Sequence, residues 1–280
     1  MILIDYNGIA ISNIVAMKLD VEENLIRHMI LNSIRLHRRK YKDKYGEVVI
    51  ATDGMKNWRR DAFPYYKAKR KDARKQSSMD WNEVFRIINM VLEEIKENFP
   101  YKVVSVDSCE ADDIIGTLVN RTQEFGNYEN VMIISGDKDF VQLQQYDNVA
   151  QYSPVQKKAI KTDNPRLDKL DLILSGDTAD GVPNVLSADN CLAEGIRQTP
   201  LRKKIKEQLM NDPKSMGEEV FRNIQRNDML INLDRTPNPI KEKIIYTYEQ
   251  QDPWENKGKV FPYLVEKDCR MLIDEIGDFI

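Results

Sequence analysis

The chain alternates between short apolar runs and longer stretches in which apolar residues recur at helical spacing. Four short runs contain many β-branched residues and are predicted to be buried strands of a parallel sheet. These strands cover residues 1–4, 48–52, 101–106 and the first half of 131–140. Amphipathic helical patterns separate them, at 22–44, 81–98 and 114–124. This order predicts an α/β fold with a mostly parallel, twisted sheet and helices on both faces.

The second half of the chain is predicted to be mainly helical. A short helix after residue 140 and a strand at the sheet edge over 149–153 come first. A helix over 166–175 follows, because Asn164-Pro165 is a typical helix start and Gly176 a typical stop. Further helices are predicted at 201–210, 218–227, 229–233 and 265–276. We therefore expect an α/β domain over 1–180 and a helical C-terminal region over 181–280.

Composition narrows the class of protein. Of the 280 residues 31% are charged, but the net charge is only −3, so the chain as a whole is not a general polyanion binder. Cys109, Cys191 and Cys269 are scattered, which argues against a disulfide framework or a zinc site and fits a reducing cytoplasm. His28 and His37 lie in a basic helical stretch, so histidine-based catalysis is not expected. The sequence shows neither a signal peptide nor a membrane-spanning run, and we expect a soluble, cytoplasmic protein.

Carboxylates follow each predicted strand of the parallel sheet. Right-handed crossovers bring the carboxyl ends of such strands to one edge, where ligands bind, so these acids are expected to lie together. They are Asp5, Asp53, Glu110, Asp112, Asp113, Asp137 and Asp139. Asp177 and Asp180 lie in the turn after the helix at 166–175 and can close the ring from the helical half.

Carboxylates that are this close repel one another unless a cation lies among them. All-oxygen ligands suit hard divalent cations such as Mg²⁺ or Mn²⁺. Two such ions about 4 Å apart can activate a water molecule and stabilise the leaving oxygen of a phosphodiester. The alternative is that each acid only caps a helix or a turn. Asp107 and Glu110, for example, have the spacing of a capping box, and Asp139 can cap the next helix.

Residues 57–75 carry a strong local excess of positive charge, interleaved with aromatic residues. Lys and Arg neutralise phosphates and aromatic rings stack on unpaired bases, so this segment is predicted to bind nucleic acid. The alternative is a solvated or partly disordered loop. The candidate residues are Arg59, Arg60, Tyr65, Tyr66, Lys67, Lys69, Arg70, Lys71, Arg74 and Lys75.

The order of these motifs resembles the phage-type 5′-nucleases of the flap endonuclease superfamily, with a PIN-like fold, and is closest to their bacteriophage RNase H branch. The shared segments are LIDYNG, HMILNSIR, ATDG, WRRDAFPYYKAKR, CEADDIIG, IISGDKDF and SGDTAD. The resemblance implies a first metal surrounded by Asp5, Asp53, Asp112 and Asp137, with Glu110 and Asp113 beside it. It implies a second metal held by Asp139, Asp177 and Asp180, partly through water.

The resemblance also implies a helical arch over about 56–80. In the arch, a Y-K-x-x-R pattern falls on Tyr66, Lys67 and Arg70, and Lys67 and Arg70 are expected to steer or polarise the scissile phosphate. One departure concerns 181–190, which lacks the Gly-rich helix-hairpin-helix of many family members. The C-terminal region is nevertheless expected to bind duplex DNA.

The function implied is that of a nuclease with two Mg²⁺ ions, or Mn²⁺ in their place, acting as a 5′→3′ exonuclease and flap endonuclease on RNA/DNA and DNA duplexes. Such an enzyme removes RNA primers and 5′ flaps during replication. We expect a monomer in the host cytoplasm, with a single-stranded-DNA-binding protein or a sliding clamp as partner. Two alternatives stay open: a PIN-type ribonuclease that cuts single-stranded RNA, and a non-catalytic, structure-specific DNA-binding protein.

Overall fold

The computed structural model describes residues 1–17 and 21–280. The strands are β1 (Ile2–Asp5), β2 (Val48–Thr52), β3 (Lys102–Ser105), β4 (Val131–Ile134), β5 (Val149–Ser153) and β6 (Lys158–Ile160). They form one six-stranded sheet in the order β3-β2-β1-β4-β5-β6. The first five strands are parallel, and β6 runs antiparallel to β5. The predicted α/β class with a mostly parallel sheet is confirmed.

The register of the sheet determines where its carboxylates lie. Ile4 of β1 is level with Ile50 of β2 and with Ile134 of β4. The three strands therefore end at one height, and the acidic residues that follow them emerge at the same edge. The prediction that β5 is an edge strand is wrong, because β6 pairs with it through Gln151 and Ile160.

Helices cover both faces of the sheet. They are α1 (Tyr6–Met17), α2 (Glu23–Tyr45), α3 (Trp58–Ala62), α4 (Arg70–Gln76), α5 (Trp81–Asn98), α6 (Ala111–Gln123), α7 (Pro165–Ser175), α8 (Cys191–Glu194), α9 (Lys203–Asn211), α10 (Glu218–Ile231), α11 (Asn238–Glu249), α12 (Val260–Glu266) and α13 (Arg270–Ile273). A 3₁₀ helix, Lys138–Gln145, follows β4 in place of the predicted short α-helix. Helix α5 matches its predicted bounds, and the Asp80 side chain caps its first turn.

Two apolar cores result from the alternation of side chains along each strand. In β1, Ile2 and Ile4 belong to the core under α1, α2 and α5, whereas Leu3 belongs to the core under α6. C-terminal residues complete both cores: Ile244 of α11 joins the second and Leu264 of α12 joins the first. These C-terminal helices thus share the cores of the sheet, and the expected division at residue 180 stays a prediction.

Three helices differ from their predictions for identifiable reasons. Helix α1 was not predicted, because YNGIAISNIVAM is apolar nearly all round and shows no amphipathic period. No helix is predicted over α11, because Pro237 and Pro239 stand at its start, although proline is well tolerated in the first helical turn. The helix predicted over 265–276 is instead α12, α13 and a 3₁₀ turn, interrupted at Asp268, whose φ is 52°.

Two further boundaries changed in the C-terminal half. The helices predicted at 218–227 and 229–233 are the single helix α10. The segment without a Gly-rich hairpin forms turns until α8 begins at Cys191. None of the helices in 1–17 and 21–280 has the length and apolar composition needed to cross a membrane.

Candidate metal centre

The carboxyl edge of the sheet gathers most of the predicted acids. Asp5 ends β1, and its carboxylate accepts hydrogen bonds from the Gly8 N–H (2.9 Å) and from the Ser135 hydroxyl (2.8 Å). Asp53 follows β2 and accepts from the Asn7 side chain (3.0 Å) and from the Ala111 N–H (2.9 Å) at the start of α6. Hydrogen bonds from neighbouring strands and helices thus hold each carboxylate in place.

Glycine is required beside Asp5. A Cβ atom on Gly8 would lie 2.3 Å from Oδ2 of Asp5, far inside van der Waals contact. The first turn of α1 therefore approaches the carboxylate as closely as a backbone can, and its N–H groups favour the charged form.

The pKa values of these carboxyl groups show the effects of burial and of their negative neighbours. Burial, and to a lesser degree the charges of Asp53 and Asp137, raise the pKa of Asp5 to about 6. Burial also raises the pKa of Asp112, with the charge of Asp137 adding to it. Ionisation of Asp5 and Asp112 is therefore opposed both by burial and by the neighbouring carboxylates.

The two acids after β4 behave in the same way. Burial and neighbouring carboxylates, including Asp177 and Asp180, raise the pKa of both Asp137 and Asp139. Asp137 accepts from the Asp139 N–H (2.9 Å), whereas Oδ1 of Asp139 is buried without any hydrogen-bond partner. A buried, unpaired carboxylate oxygen costs free energy in a folded protein, so this atom is suited to a ligand.

The segment predicted to form the arch contains α3 and α4, and the residues between these helices contact the acids. The Lys67 N–H donates to the Asp180 carbonyl (2.7 Å), and the Lys67 ammonium pairs with Glu110 and Asp180. Arg70 donates to Asp180 (2.6 Å). The Tyr66 hydroxyl lies 2.8 Å from Glu110 and 2.9 Å from Asp180. The arch thus supplies cations to the same carboxylates that were predicted to bind metal.

The Lys67 ammonium is a buried cation within this cluster of carboxylates. Burial alone would lower the pKa of Lys67, but Asp180 and Glu110 hold it above its usual value, so the group stays charged. Lys138 similarly lies 3.2 Å from Asp177. Among the residues described, no three carboxylate, histidine or cysteine side chains surround one point as a metal ion would require. The donors nevertheless fit a hard divalent cation: all are oxygens, and one is unpaired.

Asp113 does not belong to this cluster. It is completely buried and bonds to Arg59 (2.7 Å), to the Thr236 hydroxyl (2.6 Å) and to the Glu110 N–H (3.0 Å). Burial would raise the pKa of Asp113, but Arg59 and these hydrogen bonds hold it below its usual value. Asp113 is thus held in a buried ion pair with Arg59, and its role as a metal ligand stays a prediction.

Besides Lys67, two further predicted DNA-binding residues are buried. Arg59 is 2% exposed, and its guanidinium bonds to Asp113 and to the Leu230 carbonyl (2.8 Å), so its burial does not support the predicted DNA contact, which stays a prediction. Tyr66 is 3% exposed, and its ring packs with Phe63 in a small apolar cluster. The sequence shows the charge of such residues but not the distant partner that buries them.

Apart from Arg59 and Lys67, the cations of the arch are accessible. Except for Lys69, they border a cleft of about 800 Å³ between the arch and the start of α5, beside Asp53 and Glu110. Arg74 stacks there over the rings of Phe85 and Trp81, at 4.7 and 5.7 Å. The exposed candidates are Arg60, Tyr65, Lys69, Arg70, Lys71, Arg74 and Lys75. The cleft thus joins a basic surface to the acidic cluster.

The sequence-based predictions did not identify the residues that hold the acids. Ser135, Asn7 and Gln151 make hydrogen bonds to the ligand-bearing segments. Of these three residues, only Gln151 could be recognised from the sequence, because it is a polar residue within a predicted strand.

Sequence comparison identifies two family matches. Residues 1–169 match the family "5′-3′ exonuclease, N-terminal resolvase-like domain", and residues 163–279 match "T4 RNase H, C terminal". The chain is 34% identical to ribonuclease H of Enterobacteria phage T4, covering 99% of this chain and 95% of the relative. It is 33% identical to a 5′-3′ exonuclease of Buchnera aphidicola, over 49% of this chain and 47% of that one.

Solved structures show the same fold. A bacteriophage T5 flap endonuclease in a pseudo-enzyme–product complex with DNA and metal ions superposes with a TM-score of 0.65 at 16% identity, covering 89% of this chain and 99% of that one. T5 5′-exonuclease with bound zinc gives a TM-score of 0.64 at 15% identity, with coverages of 89% and 98%.

Proposed function

The chain belongs to the 5′-3′ exonuclease family, and from this membership we propose its reaction: hydrolysis of phosphodiesters near the 5′ end of an RNA or DNA strand annealed to DNA. It is a metal-dependent nuclease of the 5′-nuclease and flap endonuclease type. The proposed substrates are RNA primers and 5′ flaps on duplex DNA. The observation that carries this proposal is one edge of a sheet where buried, mutually repelling carboxylates adjoin a basic, aromatic-lined cleft.

We propose Mg²⁺ as the metal, in two sites. Asp5, Asp53, Asp112 and Asp137, with Glu110 beside them, would hold the first ion. Asp139, with Asp177 and Asp180, would hold the second, and the unpaired Oδ1 of Asp139 supports this assignment. Such ions, when bound, supply an activated water and neutralise charge on the reacting phosphate.

The protein's own groups position the substrate. Arg70 is the one arch cation that both lines the cleft and contacts an acid of the cluster while its side chain stays 44% exposed. Lys67 is more deeply buried, so it must release Glu110 and Asp180 before it can meet a phosphate. We propose that both groups stabilise the charge that develops on the scissile phosphate, and that the exposed cations Lys71, Arg74 and Lys75 bind the strand.

The proposal also covers the oligomeric state, the location and the partners of the enzyme. Resemblance to phage nucleases supports action as a monomer in the host cytoplasm. It also supports cooperation with a single-stranded-DNA-binding protein or a sliding clamp. The region 181–280 would bind the downstream duplex.

A cleavage assay tests the proposed reaction. Purified protein is incubated with a labelled 5′-flap duplex, a nicked RNA/DNA duplex and a single-stranded RNA, in Mg²⁺, Mn²⁺ or EDTA. We expect cleavage of the first two substrates with either metal and none in EDTA. Asp137→Asn should lower kcat by several orders of magnitude while DNA binding persists, because the arch is unchanged. Cutting confined to single-stranded RNA would identify a PIN-type ribonuclease, and binding without cutting would identify a DNA-binding protein.

A further inference from the structure

A buried glutamine lies directly beneath the acidic loop after β4. Gln151 is the third residue of β5 and is 1% exposed. Strand positions with this burial are normally apolar, because a buried amide costs free energy unless all its groups are bonded. A glutamine here therefore needs hydrogen-bond partners, and an apolar side chain could not replace it in those bonds.

Its partners are the backbone of the ligand-bearing loop. The Gln151 amide nitrogen donates to the Ser135 carbonyl (3.0 Å) and to the Asp137 carbonyl (2.6 Å). Its oxygen lies 3.3 Å from the Gln144 amide. Both N–H groups of one side chain thus hold the two ends of the Ser135-Gly136-Asp137 turn. Ser153 packs closely against the same turn, since a Cβ on Gly136 would lie 3.1 Å from its hydroxyl oxygen.

Ser135 extends this support to the neighbouring strand. Its hydroxyl donates to Asp5 (2.8 Å) and accepts from the Asp137 N–H (3.1 Å). Ser135 is itself 4% exposed, so water does not compete freely for these bonds. One chain of hydrogen bonds therefore runs from Gln151, through the turn, to the carboxylate of Asp5.

We propose that Gln151 is a positioning residue for the metal centre: it fixes the turn after β4, and through Ser135 it keeps Asp5 and Asp137 at the spacing that a shared divalent cation requires. This inference rests on the proposed metal site. Partners behind the ligands of a metal commonly set its affinity, and their loss typically costs about 10- to 100-fold in binding. Gln151 touches neither the metal nor the substrate in this role.

A glutamine-to-methionine pair separates positioning from general stability. Gln151→Met keeps the volume and removes both donors. The matched control is Gln251→Met, because the Gln251 amide also bonds to strand backbone, at Val103, on the opposite side of the sheet. Mg²⁺ binding is measured calorimetrically without DNA, together with the melting temperature and the Mg²⁺ dependence of kcat.

We expect Gln151→Met to raise the Kd for Mg²⁺ about 10- to 100-fold and kcat to recover at high Mg²⁺. Gln251→Met should lower the melting temperature and leave the Kd within about twofold of wild type, since its partners lie far from the site. An unchanged Kd in folded Gln151→Met overturns the proposal, as does an equal rise in the control.

Ser135→Ala keeps the proposal testable if Gln151→Met does not fold. It removes one buried hydroxyl from the turn and should raise the Kd about tenfold or more. A wild-type Kd in Ser135→Ala then overturns the proposal. Failure of the proposed function has a different signature, because in that case the wild-type protein itself would bind no Mg²⁺.

Discussion

Two adjacent aspartates show how much a single residue's partners decide. Asp112 and Asp113 are neighbours in the first turn of α6, and consecutive helical side chains point about 100° apart. Asp112 lies among other carboxylates, and its pKa is raised, first by burial and then by their charge. Asp113 bonds to Arg59, and its pKa is lowered despite burial. The sequence does not distinguish the two aspartates and predicts both as metal ligands. The partners of Asp113, Arg59 and Thr236, lie 54 and 123 positions away in the chain, so their contacts cannot be seen from the sequence.

Asp113→Asn and Asp112→Asn should therefore have opposite effects. Asp113→Asn removes the nearer counter-charge of the buried Arg59 and leaves only Glu110, at 3.5 Å. Breaking a buried ion pair typically costs about 3–5 kcal/mol of stability, but the other predicted metal ligands stay in place. Asp112→Asn removes both a proposed metal ligand and a repelling charge. The first loss should abolish activity, and the second means that the metal-free stability should not fall. Urea unfolding in EDTA and Mg²⁺ calorimetry on both variants check this. Weak Mg²⁺ binding by a folded, stable Asp113→Asn would restore Asp113 to the ligand set.

At the scale of elements, the arch combines two functions that charge counting cannot separate. The sequence correctly indicates a basic segment with aromatic residues, but it cannot tell which cations are exposed. In the structure Arg59 and Lys67 are buried against acids, whereas Lys71 and Lys75 are exposed. Strands and amphipathic helices such as α5 are predictable because burial on one face imposes a period. Helices α1 and α11 are not, since one lacks a polar face and the other begins with prolines.

Lys67→Ala and Lys71→Ala should separate the two functions of the arch. Lys67→Ala removes the ammonium between Glu110 and Asp180, so the metal-free protein should melt lower and gain more from Mg²⁺. It should also reduce kcat/KM by about 10²- to 10³-fold if Lys67 stabilises charge in the transition state. Lys71→Ala should only weaken DNA binding and lower the salt slope by about one.

Cleavage kinetics, salt titrations of DNA binding and thermal melts check these expectations. Equal, purely binding defects in both variants would mean that Lys67 contributes to the arch only as part of its positive surface. Arg70→Ala offers an independent comparison, because Arg70 contacts Asp180 yet remains partly exposed.

At the scale of the whole molecule, repulsion among the acids of the site lowers the stability of the fold. The β1, β2 and β4 register brings acids to one edge, and folding holds them closer together than the unfolded chain does. The apolar cores of the sheet offset this repulsion. The parallel sheet follows from the sequence, because buried strands alternate with helices. The hydrogen bonds that hold the acids do not, because they join residues far apart in the chain.

This opposition predicts how stability changes with pH. A carboxyl group whose folded pKa is raised contributes stability that is complete below its unfolded pKa, about 4, and is lost as pH rises through its folded value. For Asp5 the folded value is about 6, and Asp112, Asp137 and Asp139 shift in the same direction. The metal-free protein should thus become more stable as pH falls from about 7.5 to about 5.5. At more acidic pH the trend should reverse, because Asp113, whose pKa is lowered, loses its ion pair with Arg59.

Mg²⁺ should remove this pH dependence by favouring the ionised acids, with a stabilisation that grows as RT ln(1 + [Mg²⁺]/Kd) and is largest at high pH. Asp137→Asn removes one repelling charge at nearly constant shape. It should therefore raise the melting temperature in EDTA at pH 7.5 and shrink the increment gained on adding Mg²⁺. Asp147→Asn, at an exposed position away from the site, is the matched control and should change neither quantity. Thermal melts of the three proteins with EDTA or Mg²⁺ decide the matter. If Asp137→Asn melts below wild type in EDTA and responds normally to Mg²⁺, these carboxylates do not share one site, and the acids at the sheet edge act as separate caps.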